Sequence, residues 1–348
     1  MSDQTCLDVL VEAGTLAPSG DNTQPWRLDV DRAGNRITLD IDPERDPSPM
    51  NAGQRMARIS LGAVLENMAR TAEHNGWGFD VVIPPERGLA QFRIDVDELG
   101  GEIDPLLRRR VTNRRVYDGG DLDEERLADM RSSVPPRESV TASWVTDRRQ
   151  RQTLVELIAK ADGLMLSYRR IRDAFLAKVR FDVPVDAAVD EGLSLGSLEV
   201  NAIDRFLLRC MSRWSIPDGL LQAAGGRRTL GGLGRRLAGS ASGFCIIASK
   251  SLGPQADLSI GRTWQSAWLA CTRVGVATQP MMSLLVLQNI FDHEGREFFH
   301  PRDRDTVEGV LDRFGDWASD LCDGAPAAIM RIGIAPPPTA RVGRRRHR

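Results

Sequence analysis

Apolar positions along the chain recur at two periods, and each period marks a different kind of element. Cys6, Leu7, Leu10, Val11, Gly14 and Leu16 follow helical spacing that stops at Pro18, which predicts a helix over residues 5–17. Trp26–Val30 and Asn35–Ile41 alternate as strands on either side of a Gly34-Asn35 turn signal, so a hairpin is expected. A Pro- and Asp-rich loop over 42–53 leads into a helix from about Ala57 to Gly76, and Gly78–Ile83 and Gln91–Val96 read as further strands. A helix over Asp123–Met130, the pair Pro135-Pro136 and a short strand at Ala142–Val145 come next. The longest amphipathic run is 150–178, where Leu154, Leu157, Ile158, Ala161, Leu164, Met165, Tyr168, Ile171 and Phe175 predict one core or interface face. Phe244–Ala248 reads as a buried strand, 259–275 and 303–319 as helices, and Ala327–Ile334 as a last strand. Strands and helices alternate without a regular βαβ rhythm, which favours an α+β fold over a doubly wound sheet.

Residues 180–243 are less regular and hold Gly225-Gly226, Gly231-Gly232, Gly234, Gly239 and Gly243. A phosphate-binding P-loop needs Lys-Ser/Thr after its last glycine, and none follows here, so a flexible surface excursion is expected. A repeat lies elsewhere. Gly62–Ala72, reaching Gly76-Trp77, matches Gly261–Cys271, reaching Gly275-Val276, with Glu66-Asn67 and Gln265-Ser266 in register. The offset is 199 residues at both ends. It suggests two related halves split near residues 100–105, beside the alternative that amphipathic helices resemble one another by chance.

Composition narrows the function classes. At 348 residues, 41% hydrophobic and 27% charged, the chain reads as a soluble globular protein of one large or two ordinary domains. A net charge of −2 supplies no basic field for nucleic acid. Five scattered cysteines without a Cys-x-x-Cys, and four histidines without ligand spacing, predict neither a disulfide framework nor a metal site. The start lacks a signal-peptide pattern, and no apolar run approaches the roughly 20 residues that span a bilayer. A cytoplasmic protein with no membrane partner is expected.

Two stretches carry candidate chemistry. In Ala17–Trp26, Pro18 and Pro25 fix φ and hold their predecessors extended, making a stiff loop that offers Ser19, Gly20 and Asn22 to a planar polar ring. The alternative is an ordinary helix-to-strand connection with a buried Trp. In Arg108–Tyr117, five guanidinium groups and a hydroxyl make a grip for a phosphate monoester, because arginine donates bidentately and stays charged. The alternative is a solvated basic turn.

Together these stretches resemble the FMN-dependent nitroreductase superfamily. The resemblance implies that Arg110, Thr112 and Arg114, an Arg-x-Ser/Thr-x-Arg motif, hold the FMN phosphate. It implies that a Pro-Ser-x-x-Asn-x-Gln-Pro-Trp loop, here Pro18, Ser19, Asn22, Gln24, Pro25 and Trp26 with Gly20 among them, contacts the isoalloxazine ring. Gly275 and Thr278-Gln279-Pro280-Met281 match the glycine-containing helix and turn behind the ring. A basic residue near the C-terminus completes the phosphate site in that family, a role for Arg341, Arg344 or Arg345, with Arg344 the candidate.

Motif order departs from the family pattern. The ring-facing loop comes first and the arginine motif about 90 residues later; a second loop is represented only by Ser143-Trp144. The resemblance is therefore to the fused tandem (Acg-like) branch. It implies an internal pseudo-dimer of a 1–104 half with the loop and a 105–348 half with the arginine motif, one FMN per chain, and a lid around 180–243. The implied function is an FMN-binding oxidoreductase acting through the flavin on a small organic substrate, with NAD(P)H a candidate donor. The rivals are a flavin-sequestering protein with a lidded site and a cofactor-free interaction module. A monomer and a homodimer both remain open.

Overall fold

Thr5 starts the first helix. Its hydroxyl accepts the Asp8 N–H while the Asp8 carboxylate accepts the Thr5 N–H, a reciprocal capping box, and α1 (Cys6–Thr15) follows. The computed structural model describes residues 5–82, 89–94, 100–213 and 226–345, with 51% helix and 16% strand. Its strands are β1 (Trp26–Asp31), β2 (Arg36–Ile41), β3 (Phe79–Val82), β4 (Ala90–Ile94), β5 (Val140–Val145), β6 (Val179–Arg180), β7 (Leu193–Ser194), β8 (Gly243–Ser249), β9 (Ala277–Pro280) and β10 (Ala325–Gly333). The remaining helices are α2 (Arg55–Asn75), α3 (Pro105–Arg109), α4 (Glu124–Ser132), α5 (Arg148–Ser167), α6 (Arg169–Leu176), α7 (Ala202–Arg213), α8 (Gly226–Gly239), α9 (Pro254–Arg273), α10 (Ser283–Glu294) and α11 (Arg304–Ser319).

Two four-stranded antiparallel sheets share one topology. The first runs β1-β2-β4-β3 and the second β5-β8-β10-β9, so each places its strands in the order first, second, fourth, third. In the first sheet a tight turn at 32–35 joins the opening pair of strands. In the second, residues 146–242 occupy the same connection.

Helices α2 and α9, the two that carry the 199-residue repeat, pack face to face. Gly62 and Gly261 let their backbones touch: a Cβ on Gly261 would stand 2.9 Å from Gly62 Cα, and one on Gly62 2.8 Å from Gly261 Cα. One turn on, Gln265 Nε2 donates to Asn67 Oδ1 at 2.7 Å and Ser266 Oγ donates to Glu66 Oε1 at 2.7 Å, both pairs buried. Adding 199 to one partner and subtracting it from the other turns each of these bonds into the other, the signature of an isologous contact. Glu66 also takes Arg137 and Arg262, so its buried charge is matched. Each helix ends on a left-handed glycine, Gly76 at φ 72° and Gly275 at φ 75°.

Several sequence expectations change. The single amphipathic helix over 150–178 breaks at Tyr168, whose backbone turns extended while its hydroxyl donates to buried Asp303 at 2.7 Å. The glycine-rich stretch is no loose excursion where it is described. It forms α8, whose Gly231 lies against the Ala159 carbonyl while Gly163 of α5 lies against the Arg227 carbonyl; the missing Cβ atoms allow this approach. Residues 214–225 of that segment, and the outer ends of the predicted strands at 83 and 95–96, lie outside the described residues. Thr278–Pro280 is not a turn but most of β9, and α10, unforeseen in the sequence, follows it. Ser143 and Trp144 sit inside β5, paired with Ile246 and Cys245, rather than in a loop.

Candidate functional site

The Pro18 loop leaves α1 and is bent by its own side chains. Asp21, Asn22 and Gln24 all adopt positive φ, at 45°, 57° and 52°, and the Ser19 hydroxyl accepts the Gln24 N–H at 2.9 Å. Three non-glycine residues in that region make a costly turn that the surroundings hold in place. Gln24 Nε2 donates to the Asp190 carbonyl at 2.6 Å, and its Oε1 accepts the Arg345 N–H at 2.9 Å. The Asn22 amide donates toward the Asp190, Gly192 and Gly343 carbonyls, each at 3.4 Å. Gln24 thus braces the loop instead of projecting from it, and Gly20 sits exposed.

Opposite the loop lies the arginine segment. Asp104 caps α3, and after Arg109 the chain extends along the second sheet, where the Asn113 N–H meets the Thr278 carbonyl at 2.9 Å and the Asp118 N–H meets that of Ile334 at 3.0 Å. Between loop and segment is a cleft of about 190 Å³ bordered by Pro18, Ser19 and Asn22, by Arg110, Thr112 and Arg114, and by Arg341 and Arg344. Chain parts more than 300 residues apart in sequence therefore converge there.

The cleft is a nest of cations without anions. Arg110 is 8% exposed; its Nη2 donates to the Leu16 carbonyl at 3.1 Å, its guanidinium lies 4.6 Å from the Trp268 ring centroid, and its Nε has no partner. Burial, with Arg344 and Arg341 adding repulsion, pushes its pKa well down. Arg344 donates to the Ala17 carbonyl at 3.0 Å and to Asn22 Oδ1 at 3.0 Å, and burial lowers its pKa to about 10. Among the described residues neither has a carboxylate partner. A guanidinium stays charged under such conditions, so these cations are held away from water with no carboxylate to balance them. That balance is what a phosphate would supply. Arg114 is set apart: it donates to the Ser197 carbonyl at 2.9 Å and feels Asp21 and Glu199, while burial pushes the Asp21 carboxyl up to about 6.

Of the candidate residues, Pro18, Ser19, Asn22, Arg110, Thr112, Arg114 and Arg344 border this cleft. Arg345 turns away to pair with Glu191. Gln279, Pro280 and Met281 do not border it. Pro280 is opposite Met330 in the sheet, the Met281 N–H bonds the Ile329 carbonyl at 2.8 Å with its side chain in the core, and Gln279 Oε1 accepts from Arg331 Nε at 2.8 Å. Arg331 is the residue that sequence reasoning missed. Fully buried, it also donates to the carbonyls of Leu237, Asn113 and Arg115 and to Ser240 Oγ, with Tyr117's ring 3.8 Å away. It ties α8 and the arginine segment to the second sheet. A lone charge inside Ala327-Ala328-Ile329-Met330-Arg331-Ile332 was the signal. Among the described residues no cluster of His, Cys, Asp or Glu could hold a metal ion, and no helix is long and apolar enough to cross a membrane.

No protein-family model matches the chain. An uncharacterized protein, MT1398, from Mycobacterium tuberculosis (strain CDC 1551 / Oshkosh) is 24% identical over 347 residues, 97% of this chain. The match takes in 47% of MT1398, so the chain spans about half the length of this curated relative. Among solved structures, similarity is found to a nitroreductase with bound FMN from Desulfitobacterium hafniense DCB-2, at 15% identity and TM-score 0.35, covering 68% of this chain and 92% of that one. It extends to oxidized iodotyrosine deiodinase bound to FMN and 3-iodo-L-tyrosine, at 13% identity and TM-score 0.36, with 70% and 95% covered. The FMN-dependent nitroreductase NfnB from Mycobacterium smegmatis, in complex with NADPH, matches at 14% identity and TM-score 0.33, with 66% and 86% covered.

Proposed function

We propose that the chain is an FMN-binding oxidoreductase of the nitroreductase type, folded as an internal pseudo-dimer of halves 1–104 and 105–348 with one FMN site. The observation that carries the reading is the carboxylate-free pair of buried Arg110 and part-buried Arg344, with exposed Arg341 at the rim of the cleft and the Arg110 Nε unpartnered. The repeated sheet order and the reciprocal α2–α9 bonds support the pseudo-dimer.

Arg110, Arg344 and the Thr112 hydroxyl would hold the phosphate, and Ser19 and Asn22 would line the ring side. When bound, FMN supplies hydride and electron transfer through the flavin ring, the chemistry that the chain's own side chains lack. The protein's part is orientation and charge. Arg331 holds the arginine segment in register, and the Pro18 loop keeps its bend through Ser19 and Gln24. With FMN in place the site would serve electron exchange with a small organic substrate, for which NAD(P)H is a candidate donor.

A second reading, flavin sequestration, has its own support. Segments 190–192 and 343–345 already occupy the amide groups of Asn22 and Gln24 and close over the loop side of the cleft. A site so roofed retains a flavin more readily than it admits a second substrate.

The test starts with the absorbance spectrum of the purified protein and an FMN titration. One FMN per chain is expected, and Arg110→Ala should weaken binding ten- to a hundredfold, from about 1.5–3 kcal/mol per charge-assisted bond. Unchanged FMN affinity in that variant refutes the phosphate assignment. Steady-state NAD(P)H oxidation then separates the readings: turnover supports the reductase, and a flavin reduced by dithionite but not by NAD(P)H supports sequestration.

A further inference from the structure

Helix α7 leaves an apolar stripe in solvent. Ile203, Phe206 and Leu207 are 72%, 65% and 45% exposed, and with half-buried Cys210 they fall at i, i+3, i+4 and i+7 on one face. Arg209 and Arg213, one turn apart, lie within about 60° of Phe206 around the helix. Both are exposed, and neither makes an ion pair among the described residues. The surrounding chain is basic: residues 200–240 hold seven arginines against two aspartates, although the whole chain carries −2. The rest of the molecule is therefore net acidic, and a second copy offers the charge that this stripe lacks.

A receiving surface exists on the same fold. Between α10 and α11 runs a groove of about 430 Å³ with Phe291 and Leu311 on its apolar side and Glu308, Asp312 and Asp316 spaced one turn apart along α11. Glu308 is engaged by Arg296 at 3.2 Å, while Asp312 and Asp316 are exposed and make no ion pair among the described residues. Gly315 lines the groove between Asp312 and Asp316, and the space beside it is open: no atom lies within 4 Å of where its Cβ would be.

We propose that α7 of one chain docks in the α10–α11 groove of a second copy. Its apolar stripe covers Phe291 and Leu311, and Arg209 and Arg213 meet Asp312 and Asp316, whose one-turn spacing they share. This is helix-in-groove recognition, and two chains that each give a helix and receive one close as a dimer. The inference is independent of the flavin reading.

Sedimentation velocity of the full-length protein over a concentration series tests it. The expected result is a mass above one chain that falls with added salt, with association at least tenfold weaker in Phe206→Asp. The pair Arg209→Glu/Arg213→Glu should also dissociate the protein, and adding Asp312→Arg/Asp316→Arg to that same chain should restore association. Because every substituted residue is exposed, far-UV circular dichroism should not change. A monomer at all concentrations, or a charge reversal that fails to restore association, overturns the proposal. So does flotation of the protein on anionic phospholipid vesicles, sensitive to Phe206→Asp, combined with self-association indifferent to the groove substitutions.

Discussion

Replacing Gly261 by alanine sets two effects against each other with opposite sign. By intrinsic propensity, alanine in a helix interior gains about 0.5–1 kcal/mol over glycine. By packing, a Cβ at Gly261 would stand 2.8 Å from the Ile59 carbonyl carbon and 2.9 Å from Gly62 Cα, and closer still to the Ile59 oxygen. Carbon atoms pack at about 3.5–4.0 Å, so α2 and α9 must separate by on the order of 0.5–1 Å. Overpacking of this kind costs about 1–3 kcal/mol. The same displacement stretches the Gln265–Asn67 and Ser266–Glu66 bonds, and each buried polar group left unpaired costs about 1–3 kcal/mol more. Packing therefore wins, with a net loss of roughly 3–5 kcal/mol, a large share of a typical domain's stability. Urea unfolding followed by tryptophan fluorescence measures it. Gly309→Ala is the control: Gly309 lies inside α11 with no atom within 4 Å of its would-be Cβ, so the same substitution should stabilise by about 0.5–1 kcal/mol. If Gly261→Ala were neutral or stabilising like Gly309→Ala, the close contact between the two repeat helices would not exist as described.

Arg331→Lys should cost on the order of 3 kcal/mol, because a lysine has three donors for the five acceptors that the guanidinium now serves, and FMN affinity should fall with stability; a chemical-denaturation midpoint near wild type contradicts the clamp. Burial pushes Asp162 up to about 6. The folded state thus holds the proton more tightly than the unfolded chain, and stability should decline as pH rises from about 4 to about 6 and stay low above that. Asp162→Asn should remove the decline and gain about 2 kcal/mol at pH 8 while changing little at pH 4, readable as melting temperature against pH. Tyr168→Phe should destabilise by about 1–3 kcal/mol, since Asp303 would keep Arg227 but lose the hydroxyl; thermal melts decide.

Much of the fold was legible because local chemistry and tertiary structure agree. The Gly34-Asn35 turn, the stop at Pro18 and the long stripe at 154–165 each became the expected element. What failed was decided by partners distant in sequence. Tyr168 keeps helical periodicity yet leaves the helix for Asp303, 135 residues away. The glycines of α8 read as flexibility because nothing nearby shows the α5 backbone they pack against. The site divides the same way. Residue types marked Arg110 and the Pro18 loop, but nothing in their spacing distinguished Arg344, which enters the cleft, from Arg345, which leaves it for Glu191. Gln24 is the subtler case: its amide suits a polar ring, yet both ends are committed to backbone groups of the chain itself.

The cleft also shows why charge placement and stability are at odds here. Bringing Arg110 and Arg344 together out of water, without a carboxylate, costs the fold free energy that their bonds to Leu16, Ala17 and Asn22 return only in part. The chain can bear this because the cleft's walls are anchored elsewhere: the loop by Gln24, the arginine segment by Arg331, and the two sheets by the α2–α9 contact. None of those anchors touches the buried Arg110 Nε. An anion bound there would gain from cations already desolvated and fixed in place, so under the proposed function the folding cost of the cleft would become preorganisation for the phosphate. The same anchors explain why the site needs the whole chain. Residues 16–22, 107–114 and 341–344 meet only when the first sheet, the second sheet and the C-terminal segment are all in position, and no part of the sequence holds the cleft alone.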